Sequence, residues 1–261
     1  MIRALWSSAS GMQAQQLNID VISNNLANVN TTGFKRSMTN FADLMYDTER
    51  TPGRTLGDGT NTAVGLQVGY GAKPVSTSRS FLQGDLTATG NKTDLAIQGK
   101  GFFRVQLPNG DFAYTRDGSL KLNSQGQLVT NEGYRLAGTD QVDPKATEIT
   151  IGNDGTFSIV LNGTVQQLSP ITLTDFPNPE GLRAIGDNLY QATEASGAAE
   201  DGIGAGSQGL GTLSQGYLEA SNVRVVEEMV RMIQAQRAYE INSKAIVTSD
   251  EMMSIANNLR R

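Results

Sequence analysis

The chain contains no cysteine and no histidine. Their absence excludes disulfides, thiolate nucleophiles, Cys/His zinc sites, histidine-ligated haem and every Ser-His-Asp or Cys-His arrangement. An enzyme built on it would have to work with Asp, Glu, Lys, Tyr or Ser alone. Aromatic residues make up only 6%. No apolar stretch approaches the roughly 18 residues that span a bilayer. The first sixteen residues carry one cation, Arg3, and no apolar run long enough for a signal-peptide h-region. The expectation is a soluble protein that leaves the cytosol, if it does so, without a cleaved signal. A chain without thiols is indifferent to the redox state of its compartment.

Helix breakers are missing from the ends. Proline occurs neither before Pro52 nor after Pro179, and no glycine follows Gly216. A breaker-free C-terminal stretch of this length in a soluble chain predicts a long helix. Leu218, Val225, Met232, Tyr239, Ile246 and Met253 recur there every seven residues. Met229 and Ala256 fill alternate seam positions, with Gln236 and Ser243 as polar faults. At the N-terminus Leu5, Met12, Ile19 and Leu26 recur in the same way, flanked by Ile2, Ala9, Ile22 and Val29, with Gln16 and Ser23 as the faults. Two such heptad seams predict terminal helices that pair as an antiparallel coiled coil. Their polar faults make most sense if helices from other subunits surround the pair. Glu227 with Arg231 and Glu240 with Lys244 stand at favourable helical spacing. Thr248 with Glu251 has the form of a capping box, which marks a break near that point.

Between the ends the period falls to two. Asn109-Gly110, Asp117-Gly118, Gln125-Gly126, Glu132-Gly133, Asp154-Gly155 and Asn162-Gly163 punctuate short alternating runs such as 103–107, 120–122, 149–151 and 159–161. Turns at about ten-residue spacing predict an antiparallel β domain. The fold class expected is α+β. Residues 1–30 and 215–261 form a terminal helical domain, 31–93 with 199–214 an extended β-rich connector, and 94–198 a central β domain. Residues 46–66 have little to bury and alone would be a disordered loop. The Gly-rich stretch 199–214 reads as a return linker.

Chemistry-bearing patterns are weak. Net charge is −5, which argues against a nucleic-acid partner. Residues 94–198 hold seven basic and twelve acidic side chains, a solvated acidic surface. Residues 204–209 match GxGxxG, but the composition before them is no strand, so a dinucleotide is not expected. Asp117, Glu132, Asp143 and Asp154 sit in or beside turn signals, where acids occur anyway. The formal glycosylation sequons at Asn30, Asn91 and Asn162 are chance matches without a secretory signal. No catalytic, metal-ligating or cofactor-binding residue and no small-molecule substrate is expected.

The segment 23–36, SNNLANVNTTGFKR, is the informative one. Asparagines such as Asn24, Asn25 and Asn28 are poor inside helices and good at bonding backbone, and Gly33 with Phe34 follows them. The pattern reads as a helix terminus turning into an extended segment. It closely resembles the N-terminal signature of the flagellar rod and hook family. Residues 216–246 resemble that family's C-terminal signature. Gly99-Lys100-Gly101-Phe102-Phe103 and Tyr114-Thr115-Arg116-Asp117-Gly118 resemble its β-domain motifs, with Leu120 where the family usually has Phe.

Length, the start Met1-Ile2-Arg3-Ala4-Leu5-Trp6 and the 46–66 insertion resemble the distal-rod branch. The resemblance implies a structural subunit that polymerises helically into the rigid drive shaft of the flagellar basal body, across the periplasm to the outer membrane, exported without a cleaved signal. It implies contacts with itself, proximal rod proteins, hook subunits, P-ring and L-ring proteins, the rod cap and the flagellar type III export apparatus. It also implies that the insertion, with Tyr46, Pro52, Gly53 and Leu56, stiffens the rod. The alternatives are a proximal rod or other rod/hook member, and a secreted carbohydrate-binding β domain with helical arms.

Overall fold

A computed structural model describes residues 2–51, 64–143, 146, 148–161 and 163–258. It is α+β, and its contacts divide the chain into two units. One gathers Met1–Leu26, Ser37–Ser78 and Arg224–Arg261; the other gathers Ala27–Arg36 and Arg79–Val223. By contact, the connector expected at 31–93 and 199–214 is shared between these two units. Pro52, Gly53 and Leu56 lie outside the described residues.

The helical unit holds α1 (Ile2–Ala27) and α2 (Val225–Asn258). At 1.5 Å per residue these are about 39 and 51 Å long. Glu227 and Glu228 lie in the first turn of α2, where acids favour the positive end of the helix dipole. Glu227 accepts from Arg224 at 3.0 Å. The expected break at Thr248 does not occur. The helix runs through it, and the Thr248 hydroxyl donates back to the Lys244 carbonyl at 2.9 Å instead of capping a new helix. Leu218 is also displaced from its expected place: it lies in the strand Tyr217–Glu219, before the helix starts. Two strand pairs complete this unit, Ser37–Asp43 with Ala72–Arg79 and Tyr46–Arg50 with Leu66–Gly69. The second makes part of the 46–66 segment an antiparallel hairpin stem.

The other unit is antiparallel β throughout its named pairings. Its largest sheet has seven strands, in the order Arg183–Gly186, Leu189–Gln191, Phe112–Thr115, Phe103–Gln106, Arg135–Leu136, Leu128–Val129 and Lys121–Leu122. Glu148–Ile151, Phe157–Leu161 and Thr164–Leu168 form a three-stranded meander. Leu95, Ile97, Phe103, Val105, Leu128, Phe157, Ile159 and Leu213 make the core. A second cluster is aromatic: Phe102, Tyr114, Phe176 and Tyr190 meet edge-on at centroid distances of 4.7–6.2 Å.

Residues 199–214 are not a simple linker. Glu200–Gly204 pairs with Thr172–Asp175, and Thr212–Gln215 pairs with Leu95–Gln98. Ala205, Leu210 and Leu213 are buried in the core. The glycines that suggest flexibility instead permit close approach: a Cβ on Gly211 would sit 2.5 Å from the Gln98 carbonyl. The GxGxxG match is the turn between two of these strands and opens no helix.

Candidate functional site

Two constructions stand out, and neither resembles an active site. Among the described residues no cluster of three or more His, Cys, Asp or Glu could hold a metal ion, and no helix is long and apolar enough to cross a membrane.

The first construction is the face between α1 and α2. Asn25 Nδ2 donates to Glu228 Oε2 at 3.3 Å, and both side chains are buried. A Cβ on Gly11 would meet Asn242 Nδ2 at 2.9 Å, so the missing side chain makes room for the amide. Gly11 to Asn25 spans the same number of residues as Asn242 back to Glu228, about four turns. The helices therefore lie side by side in opposite directions. Asn25 is itself fixed: its Oδ1 accepts from Ser37 N at 2.9 Å and its Nδ2 donates to Ser37 O at 2.8 Å. A groove of about 640 Å³ opens where both helices meet the strand Ser37–Asp43, walled by Gln15, Asn18, Ile22, Phe41, Arg231 and Ala235.

The buried positions differ from the expected seam. On α1 they are Ser8, Ala14, Ile22 and Asn25; Leu5, Met12, Ile19 and Leu26 are half-buried. On α2 the row Glu228, Ala235, Asn242 and Ser249 repeats every seven residues, and all but Asn242 are fully buried. Met232, Ile246 and Met253 are half-buried beside that row, while Val225 and Tyr239 are exposed. The buried row is thus small or polar, and Met229, expected at an alternate seam position, is half exposed. Several other apolar side chains of α2 are exposed. Val226 is 74% exposed, Ile241 69%, and Val230, Ile233, Val247 and Ile255 are exposed on the same helix.

The start of α1 also meets the hairpin stem. Arg3 donates to Asp47 and Glu49 at 2.6 Å each, and Tyr46 opens that strand as an exposed residue. Gly71, with φ +119°, packs against Ser7 and Ser10, leaving no space for a side chain.

The second construction lies in the β unit and gathers the asparagine-rich motif's end. Gly33 has φ +67°, and a Cβ there would sit 2.7 Å from the Arg116 carbonyl carbon and the Asp117 nitrogen. Gly33 N donates to the Glu219 carbonyl at 2.8 Å, and Phe34 is buried. Thr32 Oγ1 donates to Asp117 at 3.0 Å, and Asn28 Oδ1 accepts from Thr31 at 3.1 Å. Asn24 lies instead in α1, in the helical unit, with a polar contact of its own.

Next along the chain, Lys35 is fully buried. Its Nζ donates to Glu219 Oε1 at 2.7 Å and to the Leu82 carbonyl at 2.8 Å. Glu219 Oε1 also accepts from Gly84 N at 2.9 Å, and its Oε2 lies 3.5 Å from Arg116 Nη1. Arg116 donates to the Gly99 carbonyl at 2.8 Å and covers the Phe102 ring. One buried carboxylate thus serves two buried cations. Burial pushes the Lys35 ammonium below the ordinary lysine range, with Glu219 opposing it. Burial lowers Arg116 in the same way.

Sequence reasoning gave Lys35, Arg116 and Glu219 only as letters within motifs. The available signal was only that each charge sits inside a motif, Lys35 in 23–36, Arg116 in 114–118 and Glu219 in 216–246. Glu228, in the first turn of α2 and bonded to Asn25, was not singled out by the sequence.

These motifs coincide with family matches. The flagellar basal body rod protein model matches residues 5–35, the flagellar hook protein FlgE/F/G D1 domain model residues 96–159, and the flagellar basal body rod FlgEFG protein C-terminal model residues 214–259. The chain is 51% identical over 261 residues to the flagellar basal-body rod protein FlgG of Buchnera aphidicola, covering 99% of this chain and all of that one. The chain belongs to the flagellar basal-body rod protein family. FlgG of Borreliella burgdorferi is 49% identical over 265 residues, and FlgG of Bacillus subtilis 40% over 269, both across the whole of each chain. Membership of the rod family makes the chain a structural protein and not an enzyme.

Proposed function

We propose that this chain is a structural subunit of the distal rod, which polymerises helically into the rigid shaft that carries motor torque to the hook. The observation that carries the reading is the second apolar face of α2. Val226, Val230, Ile233, Ile241, Val247 and Ile255 are exposed on a helix whose other side already packs on α1. A patch of this kind marks an association surface. In a rod protein the occupant is the next subunit.

In this reading α1 and α2 pair as an antiparallel coiled coil lining the inner tube. The connector 31–93 with 199–214 surrounds it, and the acidic domain 94–198 faces the P-ring and L-ring proteins. Proximal rod proteins and hook subunits cap the two ends, and the rod cap and type III export apparatus deliver subunits across the periplasm without signal cleavage. The 46–66 insertion stiffens the shaft by lateral contact. Deleting it should leave a polymer that bends more easily in electron micrographs; a straight rod would count against that role.

The main test is Ile233→Asp in the full chain. Burying an unpaired carboxylate in a subunit interface costs several kcal/mol, and each 1.4 kcal/mol is about tenfold in association. Sedimentable polymer should fall at least roughly a hundredfold on that scale, with tyrosine near-UV circular dichroism unchanged. Polymer at the native level would refute the reading.

A further inference from the structure

The face between α1 and α2 is an unusual place to find adhesion, because the best-buried residues that α2 gives it are small or polar, with Ile22 of α1 the large apolar one. Glu228, Ala235, Asn242 and Ser249 form one row, with Asn25 and Gly11 opposite the first and third. We infer that Asn25–Glu228 and Gly11–Asn242 form a register lock, which selects one longitudinal alignment of the two helices. The inference rests on these contacts within one chain and holds whether or not the chain builds a distal rod.

The geometry gives each slip a cost. Heptad helices compete mainly with alignments displaced by seven residues, about 10 Å. Sliding Ala235 to the level of Asn25 removes Glu228 from its partner and leaves its carboxylate beyond the end of α1. It also brings Ser249 to Gly11, where the space that Asn242 fills is left partly empty. Sliding the other way brings Ala235 to Gly11 and leaves a larger void. It also takes Glu228 from Asn25, which cannot follow. Asn25 is held by two hydrogen bonds to the Ser37 backbone, so the anchor of the lock is fixed by the strand and not by α1 alone. A matched pair of bulky apolar residues would tolerate such shifts, since one Leu fits beside another; a Glu–Asn hydrogen bond and an Asn–Gly size match do not. The outer apolar residues of α2 then stand at fixed heights relative to α1.

The absence of native cysteine makes a clean test. Gln15 and Ala238 both line the groove and lie level in the observed alignment. Gln15→Cys is combined in the full chain with Ala238→Cys, with Ala245→Cys or with Arg231→Cys, and each pair is treated with a short bismaleimide. In the otherwise native chain the first pair should cross-link at least about tenfold faster than either slipped pair, as a 10 Å displacement puts those out of reach. Replacing Glu228→Leu and Asn242→Leu together should raise a slipped pair to within about threefold of the aligned one, a near-degenerate choice between registers. Glu228→Gln can still accept from Asn25 and should keep the native ratio, which separates the lock from simple loss of folding. Equal cross-linking of all pairs in the native seam, no cross-linking of the aligned pair, or an unchanged ratio after both leucine substitutions would each overturn the inference.

Discussion

Glu219→Gln should be among the most damaging conservative substitutions in this protein. In the native unit the carboxylate takes hydrogen bonds from Lys35 and Gly84 and faces Arg116, all inside the protein. The amide keeps the shape and removes the charge. Lys35 and Arg116 are then two buried cations without their shared anion. Breaking a buried ion pair from one side costs about 3–5 kcal/mol. With a urea m-value of about 2 kcal/mol/M, the midpoint should fall by roughly 1.5–2.5 M.

Lys35→Met is the control. It leaves Arg116 and Glu219 as a neutral pair. Asn222 Nδ2 still donates to the Leu82 carbonyl at 3.0 Å, and Gly84 N still donates to Glu219, so few groups are orphaned. Its cost should stay near that of one hydrogen bond, about 1 kcal/mol.

A pH series sharpens the comparison. Burial already lowers the Lys35 pKa, and without Glu219 it must fall further. In Glu219→Gln, the unfolded chain then holds more protons than the folded one between that lowered value and about 10.4. Stability of the variant should therefore rise with pH in that window, by up to about 1.4 kcal/mol per unit. The assay is urea unfolding followed by tyrosine near-UV circular dichroism; Tyr114 and Tyr190 lie in this unit, and the single tryptophan, Trp6, lies in the other. A midpoint within 0.5 M of native (about 1 kcal/mol at this slope), or a greater loss in Lys35→Met, would refute the charge argument.

Two further outcomes follow from the same unit. Gly33→Ala should destabilise it by at least about 1–2 kcal/mol, the cost of a left-handed L-residue, because φ is +67° and the new Cβ would press on the Arg116–Asp117 peptide; the same urea titration reads it, and a neutral result would mean the backbone there moves freely. Burial raises the Tyr190 hydroxyl above its ordinary value, against the pull of Arg79, and burial raises Tyr114 as well. Their contribution is fully present below pH 10 and is lost as pH climbs toward the raised values, since the unfolded tyrosines ionise first; Tyr190→Phe should flatten that alkaline loss, and an unchanged slope between pH 10 and 12 would contradict the assignment.

How much of this could be read from the residues differs by element. The long terminal helices follow from missing breakers, and the β unit follows from Gly-marked turns at hairpin spacing. Leu218 shows where periodicity misleads. It continues a seven-residue repeat, yet Tyr217–Glu219 is held as a strand by Leu86–Ala88, and its Glu219 answers Lys35, 184 residues away. No local pattern carries a partner that distant. The strands in 199–214 were obscured for a related reason: Gly211 serves a close backbone approach, and composition alone cannot separate that from flexibility. On α2 the buried row keeps a seven-residue period but lies beside the large apolar repeat. Large apolar residues mark a heptad in a sequence, whereas the close contacts between α1 and α2 use glycine, two asparagines and a buried glutamate.

That choice of residues has a physical logic. A helix pair joined by leucines would be more stable alone, and less particular about alignment. Here the most buried row of α2 gives up apolar burial and gains hydrogen bonds and size matches that fit one register. The outer face of α2 keeps the valines and isoleucines, whose burial contributes about 25 cal/mol per Å² once a neighbour covers them. Adhesion and alignment are then carried by opposite sides of one helix. A subunit built this way sets the height of the outer face of α2 through contacts within its own chain. A one-heptad error would displace the outer face by about 10 Å, and a helical polymer repeats every such error along its length.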